Sequence, residues 1–243
     1  MEKYMLIFLF FLPQLSYSQV INIEEKRQSY EKKWTGKTKF SFDFNKSQKV
    51  NIEFDNTTYV QFNIKNFSIL FLNEIDFDRA GGIDFQNDGF QHLRINKSIN
   101  KTYSLEAYVQ NQFNPVRKIL NRKLMGLGVR FNHKNNNFLG ISSFYEVEKI
   151  IDGIIYNDVR LSSYIFMKYD YDKYFSFFTT TYCQPKIDYF KDVKISSEMQ
   201  LNFVITKKLS LNSAFEIVFD SYPAKDVERL IYNFKSGITI DFN

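Results

Sequence analysis

Apolar and polar residues alternate from Trp34 to the C-terminus with few interruptions. In WTGKTKFSFDFN, Trp34, Phe40, Phe42 and Phe44 share one face, while Lys37, Lys39, Ser41 and Asp43 share the other. In NIEFDNTTYVQFNIK, Ile52, Phe54, Val60, Phe62 and Ile64 oppose Glu53, Asp55, Tyr59, Gln61 and Asn63. A period of two marks a strand with one greasy and one wet face. The pattern recurs around 67–77, 88–97, 103–113, 123–132, 137–148, 158–169, 174–184, 192–205, 209–219 and 230–242, which predicts about twelve strands. VKISSEMQLNFVI and YNFKSGITIDF are the clearest; in YFSFFTTTYC, Phe177 and Phe178 fall on opposite faces and blur the period.

The connections sort by parity. One set is short: around Asn66, then SINK (98–101), HKNN (133–136), DYDK (170–173) and TKK (206–208). The alternate set is longer: DRAGGIDFQN (78–87), NPVRKILNR (114–122), KIIDGIIYN (149–157), QPKIDYFK (184–191) and DSYPAKDVE (220–228), with only the first hairpin, near Lys46 and Ser47, short. Short turns at one end and long loops at the other are what a transmembrane β-barrel shows, apolar outside and polar within. A soluble sandwich alternates too. The aromatics near strand ends and the charges at mid-strand favour the membrane. The expected fold is an all-β, antiparallel up-and-down transmembrane β-barrel over residues 34–243.

The N-terminus is a different object. MEKYMLIFLFFLPQLSYS carries Lys3, an apolar run from Tyr4 to Leu12, Pro13, and small residues Ser16 and Ser18, which reads as a signal peptide over 1–18, cut before Gln19. Its apolar run is too short for the roughly twenty residues of a spanning helix. Residues 19–33 form a charged periplasmic tail. The composition agrees with strands, since aromatics reach 18% and Gly and Pro are scarce. The net charge of +5 is spread without a basic stripe, so no nucleic acid is expected as a partner. Cys183 is alone, which rules out an intramolecular disulfide.

With polar faces inward, residues opposed across each hairpin come within contact distance. Centring a turn on Asn100 sets Arg94 opposite Glu106, and centring the next connection sets Glu106 opposite Arg130. A register across 78–87 brings Glu74 near His92, and a turn around Gly153 sets Glu146 opposite Arg160. These seven residues are expected to form a lumen ion-pair network over the third to eighth strands. Buried charges are normally paired, so the network neutralises a crowded interior. It is equally a candidate selectivity constriction, because charged lumen residues set which solutes pass.

On the opposite wall the TKK turn sets Glu198 and Glu216 face to face, with Lys235 within reach. Close carboxylates raise one another's proton affinity and can act as acid and base. Lys235 offers a simple counter-charge, and no catalytic residue is assigned. A lipid hydrolase would need a nucleophilic Ser beside a His, yet His92 is expected inward and His133 sits in a turn among asparagines. No Gly-rich phosphate cradle, paired-Cys site or His-x-x-x-His spacing occurs, so no metal or cofactor is expected.

The closing KSGITIDF places Lys235, Gly237, Ile240 and Phe242 in a pattern similar to the C-terminal assembly signal of bacterial outer-membrane barrels. The last strand would then close the barrel and remove both exposed edges. NDGFQHLRINKSINKTYSLEAYVQNQFN, then GLGVRF, then NDVRLSSYIFMKYDYDKYFSFFTTTYCQPKIDYFKDVKISSEMQLNFVITKKLSL, and finally the Gly237 strand resemble the outer-membrane barrel family catalogued as domain of unknown function 481. That family includes salt- or acid-induced outer-membrane proteins, and the resemblance runs from about Trp34 to Phe242. It implies a bacterial outer-membrane location with both termini periplasmic, and outer-membrane lipids and the barrel assembly machinery as partners. It supplies no reaction and no ligand.

Twelve strands fall between eight, which side chains fill, and sixteen, which leave a water channel. The functional expectation is a narrow channel passing small solutes, or a structural, stress-related envelope protein. An outer-membrane hydrolase with a lumenal or lipid-edge site and a secreted β-sandwich binding module stay open as alternatives.

Overall fold

The computed structural model describes residues 33–133, 137–171, 174–206 and 209–240. The signal peptide, the tail up to residue 32 and Phe242 lie outside the described residues. Twelve strands follow in order: β1 Trp34–Lys46, β2 Val50–Ile64, β3 Phe67–Ala80, β4 Ile83–Ser98, β5 Tyr103–Asn114, β6 Ile119–Asn132, β7 Phe138–Ile150, β8 Ile155–Tyr171, β9 Phe175–Pro185, β10 Val193–Thr206, β11 Leu209–Asp220 and β12 Leu230–Ile240. Each pairs antiparallel with the next, so the twelve make one sheet in sequence order. A sandwich would divide them between two packed sheets, and that alternative is set aside.

Burial is inverted relative to a soluble protein. On β3, Phe67, Ile69 and Phe71 are exposed while Ser68, Leu70 and Leu72 between them are buried. The most deeply buried side chains include Gln61, His92, Asn96, Glu146 and Thr180. Water favours the opposite arrangement; an apolar outer face around a polar interior is stable in lipid. The sheet coils on itself, because inward side chains meet across strands that are not neighbours. Tyr164 on β8 donates its hydroxyl to Glu106 on β5 at 2.7 Å, and Lys194 on β10 reaches Glu148 on β7 at 2.8 Å. The chain is an all-β, up-and-down transmembrane β-barrel.

The strands run further than their sequence pattern suggests, and the connections shrink accordingly. In place of a long loop over 78–87, β3 and β4 extend to a tight turn at Gly81 and Gly82, whose φ values are 60° and 85°. Positive φ at both central positions is what a two-residue hairpin with the sheet's own twist demands. Only 186–192 and 221–229 remain long, so the expected loop asymmetry survives at one side of the mouth. Among the described residues no register joins β12 back to β1, so the expected closing ladder is not part of the described sheet.

Two inward glycines shape the interior. Gly140 lies opposite Tyr164 and Gly126 opposite Tyr108. A Cβ on Gly140 would fall 1.9 Å from the Tyr164 ring, and one on Gly126 2.5 Å from that of Tyr108. Glycine lets each ring lie flat across the neighbouring strand and project its hydroxyl into the lumen.

Candidate lumen site

The strands bring the expected charges inward, but the expected registers of the seven-residue network are each displaced by two residues. Asn96, not Arg94, stands opposite Glu106. Gly128, not Arg130, stands opposite Glu106 on the other side. Leu72 opposes His92 while Glu74 opposes Phe90, and Asp158, not Arg160, opposes Glu146.

The causes are local. Asn100 is not the centre of its turn: its Oδ1 accepts the backbone N–H groups of Thr102 and Tyr103, each at 2.8 Å, which moves the centre one residue on. Between β3 and β4 the chain turns early, at Gly81 and Gly82, and a one-residue bulge at Asp78/Arg79 recovers only part of the difference. Between β5 and β6, a bulge at Gln112/Asn114 and the 3₁₀ turn Pro115–Arg117 do the same. Gly153, with φ 80°, takes the position that needs positive φ late in its turn and not the middle. A displacement of two keeps each side chain on its face. Long Arg and Glu side chains still meet along the diagonal.

The network separates into two layers. Near the short turns, Glu106 is shared by Arg94 and Arg130, each 3.7 Å away. Arg130 also donates to Asn132 at 2.9 Å and lies over the Phe138 ring at 4.5 Å. The Arg94 guanidinium sits over both Tyr108 and Tyr164. Its Nε donates to His92 Nε2 at 3.2 Å, and His92 Nδ1 is 3.0 Å from Gln110 Oε1. Because a guanidinium has only donors, Nε2 must accept and Nδ1 must carry the proton. Both ring nitrogens are thereby engaged, which leaves this histidine no geometry for activating a serine.

Near the long loops, Glu146 accepts from Arg122 Nε at 2.7 Å and from Arg160 Nε at 2.5 Å. Arg122 and Lys194 also hold Glu148, at 3.3 and 2.8 Å. Arg160 binds Asp192 at 2.9 Å, and Lys186 binds Asp158 at 2.8 Å. Donating that hydrogen bond to Asp158 pushes the Lys186 ammonium, on the β9–β10 connection, above its ordinary range. Arg122, Glu148, Asp158, Lys186, Asp192 and Lys194 were not anticipated. Arg122 falls inside the expected 114–122 loop, although the inward period of Arg130, Gly128, Gly126 and Leu124 extends to it without a break.

Between the layers lie Tyr108, Leu124 and Phe144, packed as one cluster, with the Tyr108 hydroxyl 2.9 Å from Ser142. A cavity of about 140 Å³ touches both layers, meeting Arg94 and Tyr164 on one side and Arg122 and Lys194 on the other.

Glu198 and Glu216 do stand directly opposite each other. Glu216 faces Asn233 on the next strand, which leaves Lys235 on the diagonal, opposite Ala214. Glu198 accepts from Gln200 at 2.9 Å. Lys235, Gly237 and Ile240 lie on β12, where Ile238 and Ile240 face outward and are exposed. Among the described residues no group of His, Cys, Asp and Glu is arranged to hold a metal ion.

Among curated proteins no significant match is found. Of solved structures, the chain is similar to the NanC porin in a rhombohedral crystal form, at 11% identity and a TM-score of 0.46, covering 86% of this chain and 98% of that one. It is similar to the KdgM porin at 12% identity and a TM-score of 0.40, covering 86% and 99%. At that level of superposition neither bears on what this chain carries. The match that does is over residues 18–242, nearly the whole chain, and by it the protein belongs to the family described as "Protein of unknown function, DUF481".

Proposed function

We propose that this outer-membrane β-barrel is a narrow channel for small solutes, with its short turns and both termini on the periplasmic side. One observation carries the reading: an internal cavity of about 140 Å³ that touches two separate layers of buried charge. A barrel with a purely mechanical role gains more from apolar filling than from buried ions, which are costly to desolvate. Charges along a lumen instead select what enters it. The layer near the turns brings the guanidiniums of Arg94 and Arg130 to the lumen around Glu106, and inward arginines favour anions. The ionic side chains fill the path on either side of the cavity, and passage requires them to part; conductance is therefore small. On this reading the protein is not an enzyme, and the Glu198–Glu216 pair is a lumen wall.

The test is single-channel recording of the refolded mature protein in planar bilayers, beside the Arg94→Ala, Arg130→Ala variant. Small steps with an anion-favouring reversal potential, shifted toward cations in the variant, are expected. A silent barrel that is inserted and heat-modifiable would overturn the channel and assign a structural role.

A further inference from the structure

The outer wall carries a feature that a passive lipid-facing surface does not need. Five amide side chains on β2 to β6 form a continuous hydrogen-bonded row on the outward face. Asn73 donates to Asn56 at 2.7 Å, Gln91 to Asn73 at 3.2 Å, Asn111 to Gln91 at 2.8 Å, and Asn121 to Asn111 at 2.9 Å. Their neighbours along the same face are Phe71, Leu93, Val109 and Met125, all exposed. Polar groups facing hydrocarbon are costly unless satisfied. The NH₂ groups of Asn73, Gln91, Asn111 and Asn121 each have two hydrogens and use one in the row, which leaves the other for an acceptor outside the wall.

A groove lies along this row. Phe71, Leu93, Val109, Met125 and Tyr145 form its apolar floor, while Gln91, Asn111 and Lys123 line it as well. It crosses from β3 to β7, four strand spacings or ~19 Å, oblique to the membrane normal because barrel strands tilt. Lys123 stands directly opposite Asn111, and Lys149 opposite Asn121, both toward the loop end. Both lysines are exposed, and among the described residues neither has an ion-pair partner. The two cations thus sit where the amide row ends.

We infer that this groove binds a phosphorylated lipid of the leaflet at the loop end. The phosphate sits on Lys123 and Lys149 with the free amide hydrogens of Asn111 and Asn121, and one acyl chain lies over Val109 and Met125. Charge complementarity selects the phosphate, since the site offers two cations and no acid. The apolar floor selects a lipid over a free anion. The inference is independent of whether the lumen conducts.

Native mass spectrometry of the refolded protein, exchanged from micelles doped with equal phosphatidic acid and phosphatidylcholine, tests it. The wild type is expected to retain phosphatidic acid preferentially. Lys123→Gln with Lys149→Gln should lower that retention roughly tenfold and leave phosphatidylcholine unchanged. Val109→Trp, an outward substitution into the groove, should displace both lipids while heat-modifiable mobility stays normal. Equal retention of the two lipids, unaltered by the lysine substitutions, would overturn the site as ordinary interfacial anchoring. Displacement by millimolar inorganic phosphate would overturn it in favour of a free-anion site.

Discussion

Replacing Glu146 by Gln tests whether the loop-end layer is dry. Glu146 is 1% exposed and holds two guanidiniums, from Arg122 at 2.7 Å and Arg160 at 2.5 Å. Removing one partner of a buried ion pair costs about 3–5 kcal/mol, because the other charge stays buried. Here both arginines keep a second carboxylate, Arg122 to Glu148 at 3.3 Å and Arg160 to Asp192 at 2.9 Å. The substituted amide oxygen also accepts one bond. The lower end applies, about 3 kcal/mol, or roughly a hundredfold in the folding equilibrium. Urea unfolding of the vesicle-embedded barrel measures this, and Trp34, the chain's one tryptophan and exposed on the outer face, reports it by fluorescence. Glu216→Gln, on a half-buried carboxylate of β11, is the comparison and should cost less than about 1 kcal/mol. If Glu146→Gln costs no more than Glu216→Gln, the loop-end layer is solvated and the reasoning fails.

Three further outcomes follow from the same contacts. Gly140→Ala drives a methyl into the Tyr164 ring and should destabilise by about 1–3 kcal/mol, as overpacking does; the double variant with Tyr164→Phe should recover little, since the ring and not the hydroxyl is struck. Tyr164→Phe alone removes a buried hydrogen bond to Glu106 and should cost about 1.5–3 kcal/mol by the same unfolding assay. Glu106→Gln and Glu146→Gln lie in separate layers, so their effects should add within about 0.5 kcal/mol, whereas Glu146→Gln and Arg122→Gln, which remove the two ends of one contact, should not.

Much of the fold was legible because a period of two is a property of single residues. Whether Arg94 faces inward depends only on its parity with Phe90 and His92, and no turn alters that. Registers depend on turns, and turns depend on details that alternation does not show. Asn100 capping its own turn, and a tight turn at Gly81 and Gly82 where a longer loop was expected, each moved a partner by two positions. The error was harmless to the Glu106 and Glu146 pairings, because arginine reaches along the diagonal. It was not harmless to Glu74, whose neighbour across β4 is Phe90 and not His92. The loop-end layer was half hidden for another reason. Asp192 and Lys186 lie on a connection, and Arg122 lies where Asn114 and Pro115 made a loop the natural reading.

The two layers differ in a way that desolvation explains. In the ion-pair cluster at the loop end, Arg122, Arg160, Lys186 and Lys194 face Glu146, Glu148, Asp158 and Asp192, four cations against four carboxylates. A neutral cluster can be packed tightly, since each ion replaces lost water with an opposite charge. At the turn end Glu106 serves both Arg94 and Arg130, at the looser distance of 3.7 Å. Both guanidiniums there also lie over aromatic faces, of Phe138 for Arg130 and of Tyr108 and Tyr164 for Arg94. A ring face stabilises a cation through its quadrupole without supplying a counter-charge. On the channel reading, an anionic solute that binds Arg94 or Arg130 competes with Glu106 for the contact that holds the turn-end layer closed.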